Sequence, residues 1–241
     1  MSEPERISVP TDTGDMPAYL WLPEAGTGPG VVLFQEIFGV SRYIRRRAAD
    51  LAGLGYVVLA PDLYWRLDPS LEPLDEGASG ALEDAVGRMS SLDWERTVAD
   101  GVAALEALRA RGEVSGGVGI VGFCFGGGLA FNVAAVADPK PECLVSYYGS
   151  AIPGLLHLAD SVTVPSLHHF GLSDDYIDAD TVEAVRKAVT AGNDAVVFET
   201  HDEANHAFDN PHFMNFHESA SGNAWESTER FLAEWLPVSS R

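Results

Sequence analysis

The chain has 241 residues, 46% of them hydrophobic, which is enough to bury a full core in one domain at the upper end of single-domain size. Its 36 acidic residues outweigh 15 basic ones for a net charge of −21, so phosphate backbones and anionic surfaces are repelled and neither nucleic acid nor a membrane is an expected partner. No run of about 18 apolar residues occurs, the opening Met1-Ser2-Glu3-Pro4-Glu5-Arg6 lacks the basic and apolar regions of a secretory signal, and Cys124 and Cys143 are too few for a disulfide framework, so a cytoplasmic location is expected.

Hydrophobic periodicity predicts strands over residues 6–9 and 17–22, paired as an antiparallel hairpin, then over 30–35 and 56–60, with a helix over 41–54 between the last two. Residues 67–91 break the pattern, with Pro69, Pro73, Gly77, Gly80 and Gly87 among acidic and small residues. This excursion leaves a strand end, where an open α/β sheet binds ligands, and either covers the site or forms a surface loop with a short helix over 80–89. A helix over 94–111 follows, then a strand over 117–121, a small apolar helix-compatible run over 127–137, strands over 143–147 and 164–170, a helix over 179–191, a strand over 195–200 and a last helix over 224–236. Such alternation predicts one domain over residues 1–241 with a mainly parallel sheet and helices on both faces.

The most specific local signal is Gly122-Phe123-Cys124-Phe125-Gly126, which sets a thiol on a glycine-flanked turn between a strand and a helix. A turn this tight strains its central residue, the glycines remove side chains that would clash, and the amides of the following helix point at any charge formed beside the sulfur. A buried core thiol is the alternative reading. Two later strands change the balance: one runs into Ser173-Asp174-Asp175, the other into Asp202-Glu203-Ala204-Asn205-His206, both on the sheet edge that carries the thiol. Nucleophile, acid and histidine in that order are the order of an α/β-hydrolase.

The roles follow from chemistry. A thiol is mostly protonated at neutral pH, so it needs an imidazole to take its proton; His206 can do so and can later protonate a leaving oxygen. Asp174 would fix the ring and stabilise its charged form, with Asp175 as the competing acid. His168 and His169 lie inside a strand pattern and read as structural, and His201, His212 and His217 show no metal-ligand spacing, so no metal and no cofactor are expected.

Six segments in order carry a resemblance: Gln35-Glu36-Ile37-Phe38-Gly39, Pro61-Asp62-Leu63-Tyr64, Gly122-Phe123-Cys124-Phe125-Gly126-Gly127, Tyr147-Tyr148-Gly149, the Gly171 to Asp174 turn, and His206-Ala207-Phe208. Together they resemble the dienelactone hydrolase family, the cysteine branch of the α/β-hydrolases. The resemblance implies a triad of Cys124, Asp174 and His206 and adds Glu36, whose position in this family holds a carboxylate that contacts the resting thiol. It places the oxyanion hole at the backbone amides of Ile37 and Phe125. Family members acting on dienelactone grip its carboxylate with two arginines and a tyrosine; those positions here hold Asn210, Ala81 and Ala85, with Arg88 or Arg66 as stand-ins if the excursion folds differently. Phe38, Tyr64, Trp65 and Tyr148 are then expected to form an aromatic pocket for a less charged ester or lactone, core packing being the alternative.

The expectation is a cytoplasmic, cofactor-free hydrolase of small-molecule esters or lactones, monomeric or a small homo-oligomer, working through an acyl-enzyme. A thioesterase or other acyl-transfer enzyme with the same triad is one alternative. A non-catalytic relative that binds a small molecule or senses oxidants through Cys124 is another.

Overall fold

Short runs of aliphatic and β-branched residues build the sheet. In the computed structural model, which describes residues 3–239 and leaves Met1, Ser2, Ser240 and Arg241 outside the described residues, eight strands form a single sheet. They are β1 (Glu5–Thr11), β2 (Gly14–Trp21), β3 (Gly28–Phe34), β4 (Val57–Pro61), β5 (Val114–Phe123), β6 (Leu144–Tyr147), β7 (Ser166–Gly171) and β8 (Val196–His201), in the spatial order β1-β2-β4-β3-β5-β6-β7-β8. The hairpin expected at the start is present, with Thr11 opposite Gly14, and β2 also runs antiparallel to β4; all other neighbours are parallel. Every residue of β3, β4, β6 and β7 is buried, so these strands carry no inside-outside alternation. That is the pattern of a parallel sheet covered on both faces.

The helices are α1 (Arg42–Gly53), α2 (Ala81–Ser90), α3 (Trp94–Arg109), α4 (Phe125–Val136), α5 (Ala179–Thr190) and α6 (Glu218–Trp235), with a 3-10 helix over Ile152–Ser161 that periodicity did not predict. α3 and α5 start where Asp93 and Asp178 accept the amides of Arg96 and Thr181, caps worth about 1 kcal/mol each. α4 is buried from Phe125 to Ala135, which explains why its sequence is small and apolar on every side. α6 begins earlier than the predicted 224, because His217 Nδ1 accepts the amide of Ala220 and caps a first turn whose serines, glycine and asparagine read as loop. α1 and α6 adjoin through Arg47, which stacks on Trp225 at 4.2 Å and reaches Ser221 Oγ at 3.4 Å. No helix among the described residues is long and apolar enough to cross a membrane.

Candidate active site

Topology fixes where a crevice opens. From β3 the chain moves outward through α1 to β4, then returns to form β5 on the opposite side of β3, so the connections after β3 and β5 diverge at their carboxyl ends. Cys124 follows β5 directly, and Glu36 lies just beyond Phe34 at the end of β3. Cys124 adopts φ 53° and ψ −118°, a conformation that costs a non-glycine residue roughly 1–3 kcal/mol. The turn closes because nothing projects from its flanks: a methyl group on Gly122 would strike the carbonyl oxygen of Gly126, and one on Gly126 would strike the carbonyl oxygens of Phe34 and Gln35. Phe125 is the first residue of α4, so its amide has no acceptor within the helix.

His206 has further to travel. Its strand, β8, lies three positions from β5, roughly 14 Å at ordinary strand spacing, and the following loop turns back across the sheet with left-handed residues at Glu203 (φ 59°) and Ala207 (φ 58°). Asn215 Nδ2 donates to the His206 carbonyl at 3.0 Å, and Asp209 anchors the loop by accepting Arg47 at 2.8 and 2.5 Å, Tyr43 Oη at 2.5 Å and Ser221 Oγ at 2.6 Å. The imidazole thus reaches Cys124 Sγ with Nε2 at 3.0 Å and Asp174 Oδ2 with Nδ1 at 2.8 Å. Asp174 is held by the amides of Tyr176 and Ile177 on its other oxygen, at 2.8 and 3.0 Å. Of the two acids weighed, Asp174 faces the ring; Asp175 is exposed and pairs with Asn205.

Charge is shared along this line. Burial by itself disfavours the His206 imidazolium, but the Cys124 sulfur and the Asp174 carboxylate more than offset it, and the ring is held well above its ordinary pKa. Glu36 behaves differently from the family expectation of a contact with the thiol: its oxygens accept Tyr148 Oη at 3.0 Å and Asn210 Nδ2 at 2.9 Å, while the sulfur bonds His206. Burial raises Glu36 to a pKa of about 7, against the lowering effects of those two donors and of His206.

A cavity of about 290 Å³ opens over the sulfur, lined by Glu36, Ile37, Phe38, Leu82, Val86, Met89, Cys124, Ser150, Tyr176, His206, Ala207 and Phe213. Of the residues expected to contact substrate, Phe38 lines it and packs on Phe213 at 5.7 Å between ring centres. The others lie outside it. Tyr64 Oη donates to the Ile37 carbonyl at 2.6 Å and so buttresses the loop from beneath, and Trp65 Nε1 donates to Asp100 at 2.9 Å. Tyr148 packs behind His206 at 5.2 Å, and Arg88 donates to the Glu72 carbonyl at 2.8 Å. Arg66 is taken by Asp100 and Asp12. Sequence reasoning missed Ser150, Tyr176, Phe213 and the α2 side chains; only α2 left a signal, since Leu82, Val86 and Met89 recur at helical spacing.

His169, Glu199 and His201 bring their donor atoms within 4.8 Å of one another, the one such group of metal-capable side chains among the described residues. Their atoms already have hydrogen-bond partners: His169 Nδ1 and His201 Nε2 bond each other at 3.2 Å, His169 Nε2 bonds Thr228 Oγ1 at 3.2 Å, and Glu199 Oε1 accepts Ser227 Oγ at 2.6 Å. Burial holds both rings below their ordinary pKa and keeps them neutral.

The strand order, the strained turn after β5, and an acid and histidine delivered from β7 and β8 define the α/β-hydrolase class. Residues 16–236 match the model of the dienelactone hydrolase family. The chain is 35% identical over 227 residues to a carboxymethylenebutenolidase of a Pseudomonas species, covering 93% of this chain and 92% of that one. It is 38% identical over 164 residues to carboxymethylenebutenolidase 1 of Cupriavidus pinatubonensis, covering 68% and 69%. A solved structure of a putative dienelactone hydrolase from Klebsiella pneumoniae superposes with a TM-score of 0.80 at 27% identity over 97% of each chain. The chain therefore belongs to the dienelactone hydrolase family, and it is a hydrolase of the ester-cleaving type.

Proposed function

We propose that the chain cleaves small esters or lactones through a Cys124 acyl-enzyme, with His206 and Asp174 completing the triad. The observation that supports this reading is the unbroken line from Asp174 Oδ2 through both nitrogens of His206 to Cys124 Sγ, at 2.8 and 3.0 Å, beneath an accessible cavity. His206 Nε2 takes the sulfur's proton, and the thiolate attacks the carbonyl carbon. The amides of Ile37 and Phe125 receive the oxyanion, a contribution of about 3 kcal/mol per donor in comparable sites. His206 then returns the proton to the leaving alkoxide as the carbon-oxygen bond breaks. A water that gives its proton to the same nitrogen attacks the thioester, and the acid departs as the carbon-sulfur bond breaks. Asp174 stabilises the transient imidazolium, and an ionised Glu36 adds a second negative charge near it.

A chromogenic acetate ester tests the reading. The expected result is a burst of phenol release, one acetyl group on Cys124 by mass spectrometry, and loss of both in Cys124→Ala. Turnover that survives Cys124→Ala would remove the mechanism.

A further inference from the structure

The walls of the cavity carry information that its floor does not. α2 (Ala81–Ser90) has two apolar stripes: Ala81 and Ala85 are buried against the body at 4% and 0% exposure, while Leu82 and Val86 remain 38% and 43% exposed and, with Met89, line the cavity. A helix that packs only to stabilise a domain buries its large apolar side chains and leaves the small ones outside. α2 does the reverse. The alanines let it sit close to the body, and Leu82 and Val86 stand exposed in the cavity, with the part-buried Met89 lining it beside them. Phe38 and Phe213, packed on each other, add further apolar lining, and exposed Tyr176, in a T-shaped pair with His206 at 5.2 Å, extends it beside the imidazole. Exposed apolar patches at the rim of a pocket mark what the pocket is built to cover.

Charge points the same way. Among the described residues no lysine or arginine lines the cavity; Arg88, within α2, donates to the Glu72 carbonyl, and Arg66 pairs with Asp100. The acidic group that does line it, Glu36, is buried and ionises near neutral pH. A carboxylate entering along α2 would lose water without gaining a lysine or arginine, since the one histidine of the lining, His206, is already paired with Cys124 and Asp174, and above pH 7 it would meet the charge of Glu36.

We infer that this site selects neutral esters whose acyl group is apolar and long enough to lie along Leu82, Val86 and Met89, and that it rejects esters carrying a carboxylate on that group. The inference rests on the ester-cleaving reading above and names its substrate class. The volume of about 290 Å³ sits at the low end of small-molecule pockets, which suits an acyl group of a few carbons rather than a long lipid chain.

The test compares three p-nitrophenyl esters at pH 8: acetate, hexanoate and the mono-ester of adipic acid, which has the length of hexanoate but ends in a carboxylate. Expected are a kcat/KM for hexanoate about tenfold or more above acetate, from extra methylenes meeting α2, and about 100-fold or more above adipate, from the unpaired charge. Val86→Arg is expected to cut the hexanoate-to-adipate ratio at least tenfold, and Leu82→Ala with Met89→Ala to erase the advantage over acetate. Cys124-dependent acetate cleavage with adipate equal to or better than hexanoate overturns the inference and leaves the mechanism standing. Absence of Cys124-dependent cleavage of all three overturns the mechanism instead. The binding preference is then read without catalysis, by titrating Cys124→Ala protein with hexanamide and with the mono-amide of adipic acid: tighter hexanamide binding sustains it, and equal or weaker binding overturns it.

Discussion

His206 makes two hydrogen bonds in opposite directions, and each fixes the other. With Nδ1 held at 2.8 Å by Asp174, the ring presents Nε2 to the sulfur at 3.0 Å. Asp174→Asn keeps the shape but offers an amide where a carboxylate belongs, so kcat is expected to fall by roughly three to four orders of magnitude with the fold intact by circular dichroism. Retention of most of the activity would assign the acid elsewhere. Glu36 gives a prediction of the opposite kind. Its pKa is about 7 folded against 4.5 in the free side chain, so the folded protein holds this proton more tightly. Stability from this group is therefore fully present below pH 4.5 and is lost as pH rises through about 7, by about 3 kcal/mol. Glu36→Gln cannot ionise and is expected to exceed the parent by about that amount in urea unfolding at pH 8, with the gap closing at pH 4.5. A gap that stays constant across pH would show that the carboxyl is not the titrating group.

At the scale of elements, the loop carrying His206 depends on helices it does not belong to. Asp209 is fully buried, and it joins that loop to α1 through Arg47 and Tyr43 and to α6 through Ser221. Asp209→Asn leaves Arg47, whose side chain is 10% exposed, with only the part-exposed Asp50 at 3.2 Å as counter-charge, and about 3 kcal/mol of stability is expected to go with it in chemical denaturation. The elements themselves were largely readable. Strands β3 to β8 followed from apolar runs bounded by turn residues, and the turn at Cys124 from glycines that admit no substituent. What could not be read depends on contacts between distant segments. The direction of Glu36 is set by Tyr148 and Asn210, 112 and 174 residues away, and no local pattern encodes it. The substrate-facing side of α2 is likewise chosen by packing, since Ala81 and Ala85 fit against the body and so turn Leu82 and Val86 outward. Tyr64, Trp65 and Tyr148, expected to form the substrate pocket, do not line the cavity, because sequence gives proximity along the chain and not the direction of a ring.

Across the whole molecule, one mainly parallel sheet holds the polar groups of the candidate site at the carboxyl end of its strands, with Glu36 and Ile37 beyond β3, Cys124 beyond β5, Asp174 beyond β7 and His206 beyond β8. Loops alone could not keep atoms from four places within about 3 Å of their partners; a shared rigid layer can. The net charge of −21 disfavours the approach of anions to the molecule as a whole, in line with a pocket that no lysine or arginine lines among the described residues.

The two sulfurs occupy unequal positions in this layer, and that makes them useful as chemical reporters. Cys124 opens into the cavity beside a base, whereas Cys143 is 0% exposed and burial, with Glu142 adding to it, pushes its thiol up to about 12. Iodoacetamide is expected to add one label per native molecule, at Cys124, and a second only when the chain opens globally. The first label would count competent molecules in any preparation, and the arrival of the second would time unfolding without a denaturant; rapid double labelling of the native protein would contradict both uses.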